Sequence, residues 1–273
     1  MVNKKALLIL ILVYLSALPS YALSQASDLT QASGADIVKT LSADPIYSHA
    51  VQADRPMLTQ FVNDSHLRLA PPDYLQNLAA GPSLNFLFSE PAGVAEGYSI
   101  GQHTILVLDL YQQQKNKFGI SSIPKPDSVV SWDRLMIYTL AFHDIGKSIA
   151  YRGGDKSRET IFSVPLAEDL LRAAGLNRAE VKIGTSLIDA HQLIGRYLQN
   201  EMSSAAVTAQ IRLYARQAEL DPRLFFALLD LVFVADAGSY PALHLLVFRD
   251  VNGRLVPRNP AFEALAHTFG LGS

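Results

Sequence analysis

Tyr138-Thr139-Leu140-Ala141-Phe142-His143-Asp144-Ile145-Gly146-Lys147 carries an apolar run straight into an imidazole, a carboxylate and an ammonium group. The pattern recurs where Phe226-Ala227-Leu228-Leu229 and Leu231-Val232-Phe233-Val234-Ala235 lead to Asp236. An unpaired carboxylate in an apolar interior is costly, so groups placed this way need a cation or hydrogen-bond donors around them. A divalent metal would compensate several of them at once. Neighbouring His and Asp on a helix point about 100° apart, so both reach one ion only where the helix end is open or the ion lies beside it. Gly146 allows that close approach.

Outward from this stretch, the chain beyond Ile100 is a series of apolar-periodic segments separated by breakers, the signature of an all-α fold. The spacing predicts helices near 100–117, 131–148, 159–174, 178–199, 203–219 and 222–237. Ser131 is placed to cap its helix, although Arg134 stands where a capping box would want Glu or Gln. Asp221-Pro222 puts a capping residue directly before a proline at the first helical position, and Gly119 and Gly175 stand where helices should stop. Strand-like alternation is confined to about 244–249, which argues against Rossmann and barrel architectures.

With 49% hydrophobic and 18% charged residues the chain belongs to the globular class, and 273 residues suffice for one substantial core with a small appendage. A formal charge of -2 gives no bulk attraction to nucleic acid or anionic lipid. Without cysteine there are no disulfides, thiolate metal sites or Cys nucleophiles, which leaves His, Asp and Glu for metal or acid–base chemistry.

Lys4 and Lys5 precede an uncharged apolar run from Ala6 to Leu18, then Pro19 and the small-residue pattern Ser20-Tyr21-Ala22. This is how a secretory signal peptide is built. The run is shorter than the ~20 residues a helix needs to cross a bilayer, so export with cleavage is expected rather than a permanent span. A second cut could fall after Ala26, and an uncleaved anchor is the alternative. The expected organisation is thus a signal peptide at 1–22, an extension at 23–95 broken by prolines and packed on the main body, and a main domain at 96–273.

Ala141-Phe142-His143-Asp144-Ile145-Gly146-Lys147 resembles the namesake motif of the HD superfamily of metal-dependent phosphohydrolases. In that family a lone His on one helix, a His-Asp pair on a later one and a distant Asp bind the metal. His103, in Gly101-Gln102-His103-Thr104-Ile105-Leu106-Val107-Leu108, corresponds to the first, and Asp236, in Phe233-Val234-Ala235-Asp236-Ala237, to the last, with Asp230 as its competitor. The resemblance covers roughly 96–240 and implies an HD-type helical bundle. It also implies a divalent ion (Mn, Fe, Co, Ni, Mg or Zn) held by His103, His143, Asp144 and Asp236, and hydrolysis of phosphomonoesters or phosphodiesters, nucleotides among them, by a metal-bound hydroxide.

His191, in Asp189-Ala190-His191-Gln192, resembles a ligand to the second ion of two-metal relatives. The helix Phe162-Ser163-Val164-Pro165-Leu166-Ala167-Glu168-Asp169-Leu170-Leu171 lacks the His that usually heads it, so one metal is expected, with His191 a general acid or phosphate-orienting group. Lys147, Arg152 and Lys156, around Gly153-Gly154, are candidate phosphate-binding residues, or a solvated loop. Asp144 and Lys147 join His191 as the expected catalytic set, and a phosphorylated small molecule or nucleotide is the expected partner. His49, His66, His244 and His267 lie outside the matching segments. Two rival functions share this framework: an exported, non-catalytic ligand- or partner-binding domain, and an iron-dependent oxygenase.

Overall fold

The computed structural model describes residues 91–92, 97–120, 123–147, 150 and 158–271. The expected leader, most of the extension with His49 and His66, and the candidate phosphate residues Arg152 and Lys156 lie outside the described residues. The described residues are mostly helical, with one two-stranded sheet. In chain order they form α1 (Ile100–Gln114), α2 (Trp132–Phe142), α3 (Glu159–Ala173), α4 (Arg178–Ala190), α5 (Leu193–Leu198), α6 (Ser204–Gln217), α7 (Pro222–Gly238) and α8 (Pro241–Val247). The antiparallel hairpin β1 (Phe248–Val251) and β2 (Arg254–Pro257) follows, and then α9 (Pro260–Thr268).

The starts are local chemistry. Ser99 and Asn177 make complete capping boxes on α1 and α4 with Gln102 and Glu180. Asp221 accepts from the Arg223 and Leu224 amides ahead of Pro222. Ser131 accepts from the Arg134 amide with no reciprocal partner. The Arg134 guanidinium instead donates to the Ala174 and Gly175 carbonyls at the end of α3, so a residue unsuited to a capping box ties α2 to α3. Gly119 and Gly175 take positive φ where the chain leaves α1 and α3, as helix stops require.

α2 lies inside the bundle, against α1, α3, α4 and α7. Leu135, Met136, Tyr138, Leu140 and Phe142 are buried on it, and α7 adds Phe225, Phe226, Leu228, Leu229 and Val232. Two predicted helices are broken. The segment expected at 131–148 ends at Phe142 and turns through His143–Gly146, and that expected at 178–199 ends at Ala190 before α5 begins at Leu193. The expected strand near 244–249 is displaced: Pro241 at the first position of α8 makes 241–247 helical, and the strand begins at Phe248. Each break in the helices places a histidine at a helix end.

Candidate metal centre

His143 follows the last residue of α2, and its Nδ1 donates to the Leu140 carbonyl at 2.7 Å. His191 occupies the same place after α4, with Nδ1 on the Ile188 carbonyl at 2.6 Å. A carbonyl accepts only, so both rings carry hydrogen on Nδ1, and Nε2 faces inward. His103, one turn into α1, has Ser239 Oγ at 3.3 Å from Nδ1, and the Tyr240 ring stacks on it with centroids 4.5 Å apart. Since the Ser239 hydroxyl hydrogen is engaged by the Asp236 carbonyl at 2.7 Å, Ser239 accepts from His103 Nδ1.

The three Nε2 atoms therefore face carboxylates. His103 Nε2 lies 3.0 Å from Asp236 Oδ1 and 3.4 Å from Asp144 Oδ2. His143 Nε2 lies 3.5 Å from Asp144 Oδ1 and 3.6 Å from Asp236 Oδ1. His191 Nε2 lies 3.5 Å from Glu159 Oε1 and 3.8 Å from Asp144 Oδ1. Donor atoms this far apart match the edges of a coordination polyhedron with bonds of roughly 2.1 Å. His143 Nε2, Asp144 Oδ1 and Glu159 Oε1 are buried and have no hydrogen-bond partner among the described residues. Buried polar atoms left unpaired in this way call for a cation. The donor set thus fits a divalent ion.

Two overlapping groups have ligand atoms within 4.8 Å of one another: His103, His143 and Asp144, and Asp144, Glu159 and His191. Asp236 closes on the first group through its contacts with both histidines. Asp230, its competitor, points elsewhere: its carboxylate accepts from Arg254 of β2 at 3.3 Å. His244 donates through Nδ1 to the Gly238 carbonyl, 3.0 Å away, and belongs to neither group. Lys147 enters the centre, with Nζ 2.6 Å from Asp144 Oδ2 and 3.9 Å from Glu159 Oε2.

Glu159 is the member that sequence reasoning missed. It is the first residue of α3, 3% exposed, at the head of the helix where an imidazole was sought. The available signal was an acidic residue opening an apolar-periodic segment. Gly146 secures the register between Asp144 and Glu159: its amide donates to Ser163 Oγ at 3.0 Å, and a Cβ there would meet the Ser163 nitrogen at 2.3 Å.

Charge follows geometry. Burial would raise the Asp144 carboxyl, but His143 and Lys147 outweigh it and hold the group well below its usual range. Asp236 is likewise held low by His103 and His143 against its burial. Burial, reinforced by Asp144, raises Glu159. Burial lowers His103. It would lower His143 too, but Asp144 and Asp236 reverse the sign. Burial also opposes the charged form of His191, which Glu159 and Asp144 nevertheless bring up to about 9. Lys147, disfavoured by burial, is kept charged by Asp144 and Glu159.

Among the described residues, no helix is long and apolar enough to cross a membrane. No protein-family description, curated protein or solved structure matches the chain.

Proposed function

We propose that this chain is an exported metal-dependent phosphohydrolase of the HD type. The observation that carries the reading is the convergence of His103, His143, Asp144 and Asp236, from three separate segments, at coordination spacing, the first three buried and Asp236 half-buried. A divalent ion held by these residues would supply a water of lowered pKa and a compensating positive charge.

The remaining steps belong to the side chains. Lys147, a charged ammonium group 17% exposed at the rim of the centre, is placed to neutralise an incoming phosphate. His191 carries a hydrogen toward the Glu159 carboxylate, which makes it the proton donor for a leaving alkoxide. Tyr240, with its hydroxyl 3.2 Å from His103 Nε2 and its ring stacked on that histidine, fixes the imidazole plane. An ammonium group inside the centre favours an anionic substrate over oxygen chemistry at the same ligands.

Elemental analysis of the purified mature chain, with hydrolysis of p-nitrophenyl phosphate and bis(p-nitrophenyl) phosphate in parallel, tests the reading. Stoichiometric metal and turnover, both lost in His143→Ala and Asp144→Ala, are expected. Absence of metal after loading with each divalent ion in turn overturns it.

A further inference from the structure

A cavity of about 320 Å³ opens where the end of α1 meets the start of α2. Its apolar walls are Ile120, Ile123, Val130 and Trp132. Ile120 and Trp132 are buried, and the Trp132 ring is pinned by its Nε1 donating to the Ile123 carbonyl at 3.3 Å. Both helices carry metal-centre residues at their other ends. Lys115, on the cavity wall, lies about 18 Å along α1 from His103 at a rise of about 1.5 Å per residue, so the cavity is no arm of that centre.

The spare hydrogen-bonding capacity here is of one kind. The Lys115 carbonyl accepts from the Ile120 amide at 3.1 Å, the Asn116 carbonyl from the Gly119 amide at 3.2 Å, and the Ile123 carbonyl from Trp132. Donors remain. The Trp132 and Asp133 amides, the first two of α2, have no carbonyl to reach within their own helix, and Asn116 adds an exposed side-chain amide. Charge has the matching sign. Lys115 meets both Asp133 oxygens, at 2.9 and 3.0 Å, and Tyr111 donates to the same carboxylate at 2.9 Å. Lys125 donates to the Val129 carbonyl and, among the described residues, pairs with no carboxylate. An ammonium group has three hydrogens, so most of its donor capacity is open.

We propose that this cavity is a second ligand site, for a small organic monoanion: a carboxylate whose apolar body lies on Trp132, Ile123 and Val130 while its oxygens meet Lys125 and the opening turn of α2. The volume is at the lower end of the range for small-molecule sites. Lys115 and Lys125 against Asp133 leave one positive charge on the wall, which one carboxylate cancels. The site stands apart from the phosphohydrolase reading and does not depend on it.

Trp132 is the single tryptophan of the chain, so its emission reports on this cavity alone. Titration of the purified chain with 4-phenylbutyrate, with binding heat measured in parallel, tests the proposal. A saturable change in emission is expected, with Kd below about 1 mM. The same body with the opposite charge, 4-phenylbutylamine, should bind at least about tenfold more weakly. Acetate, which would ligate a metal ion equally well, should not saturate. Lys125→Met should weaken 4-phenylbutyrate by about tenfold, and Val130→Ser should weaken it too; both residues are exposed, so the fold is retained. No saturation by either emission or heat, equal affinity for the amine, or wild-type affinity in Lys125→Met each overturns it. None of these outcomes bears on the metal centre.

Discussion

His143 and His191 end two different helices in the same way and meet edge to face, with ring centroids 5.6 Å apart and planes at 86°. Each gives its Nδ1 hydrogen to the carbonyl three residues earlier, so each helix is cut by the imidazole that the cut delivers to the centre. The shared tautomer has a consequence for metal binding. His143 and His191 are both raised against their burial by facing carboxylates, His191 to about 9, so the metal-free centre favours protons on them.

A divalent ion must displace such protons before it can use Nε2. Apparent Mn affinity is therefore expected to rise with pH between 6 and 9, by about tenfold per pH unit where one proton is released per ion. Titrations in several buffers, corrected for the buffers' own ionisation, measure the slope. A flat profile would mean that the carboxylates hold no protons on the imidazoles.

Gly146→Ala should be among the most damaging single-methyl changes in this chain. The added carbon would lie 2.3 Å from the Ser163 nitrogen and 2.5 Å from the Phe162 carbonyl carbon, and backbone yields less readily than a side chain. A loss of about 3 kcal/mol in denaturant unfolding is expected, toward the upper end of overpacking costs. Weakened metal retention should accompany it, because the turn bearing Asp144 is pushed off α3. Ser163→Ala removes only the hydrogen bond to the Gly146 amide and should cost about 1 kcal/mol.

Much of this site is local in origin and could be read from the chain. The apolar runs ending in His143-Asp144 and in Asp236, the capping residues Asp221 and Ser131, and the stops at Gly119 and Gly175 are all short-range features. The breaks at His143 and His191 are not. Apolar periodicity continues through both, and only a side-chain bond to the preceding turn interrupts the helix. Glu159 was hidden for a related reason: nothing near it in sequence shows that its carboxylate is buried beside His191. Lys147 was legible as a phosphate-binding candidate, but its contact with Asp144 and Glu159 depends on where α3 packs.

Asp230 should make stability depend on pH in a direction opposite to that of ordinary ion-paired carboxylates. Burial pushes its carboxyl up to about 7, with Arg254 pulling the other way. In the unfolded chain the group titrates near ~3.9. Between those values the unfolded chain has released a proton that the folded chain retains, so this group's contribution falls as pH rises through the window and levels off above 7. Asp230→Asn removes this dependence. The stability of the variant relative to wild type should therefore climb by about 2–3 kcal/mol from pH 5 to pH 7 in urea unfolding. A constant difference across that range would show that Asp230 is ionised throughout.

Lys147→Met separates substrate charge from metal retention. Its ammonium group, 2.6 Å from Asp144 Oδ2, competes with metal for that oxygen and ligates nothing itself. Methionine keeps much of the apolar length while removing the charge. The ion on His103, His143, Asp144 and Asp236 should bind at least as tightly as in wild type, since a neighbouring positive charge is gone. Turnover of a phosphomonoester should nevertheless fall by about 10²–10³, the usual effect of removing one electrostatic stabiliser of a developing phosphoryl charge. Metal content and kcat/KM measured on the same preparation distinguish the outcomes. Full metal with full activity would remove Lys147 from the chemistry and return it to a structural pairing with Asp144, whereas full metal with lost activity assigns it to the substrate.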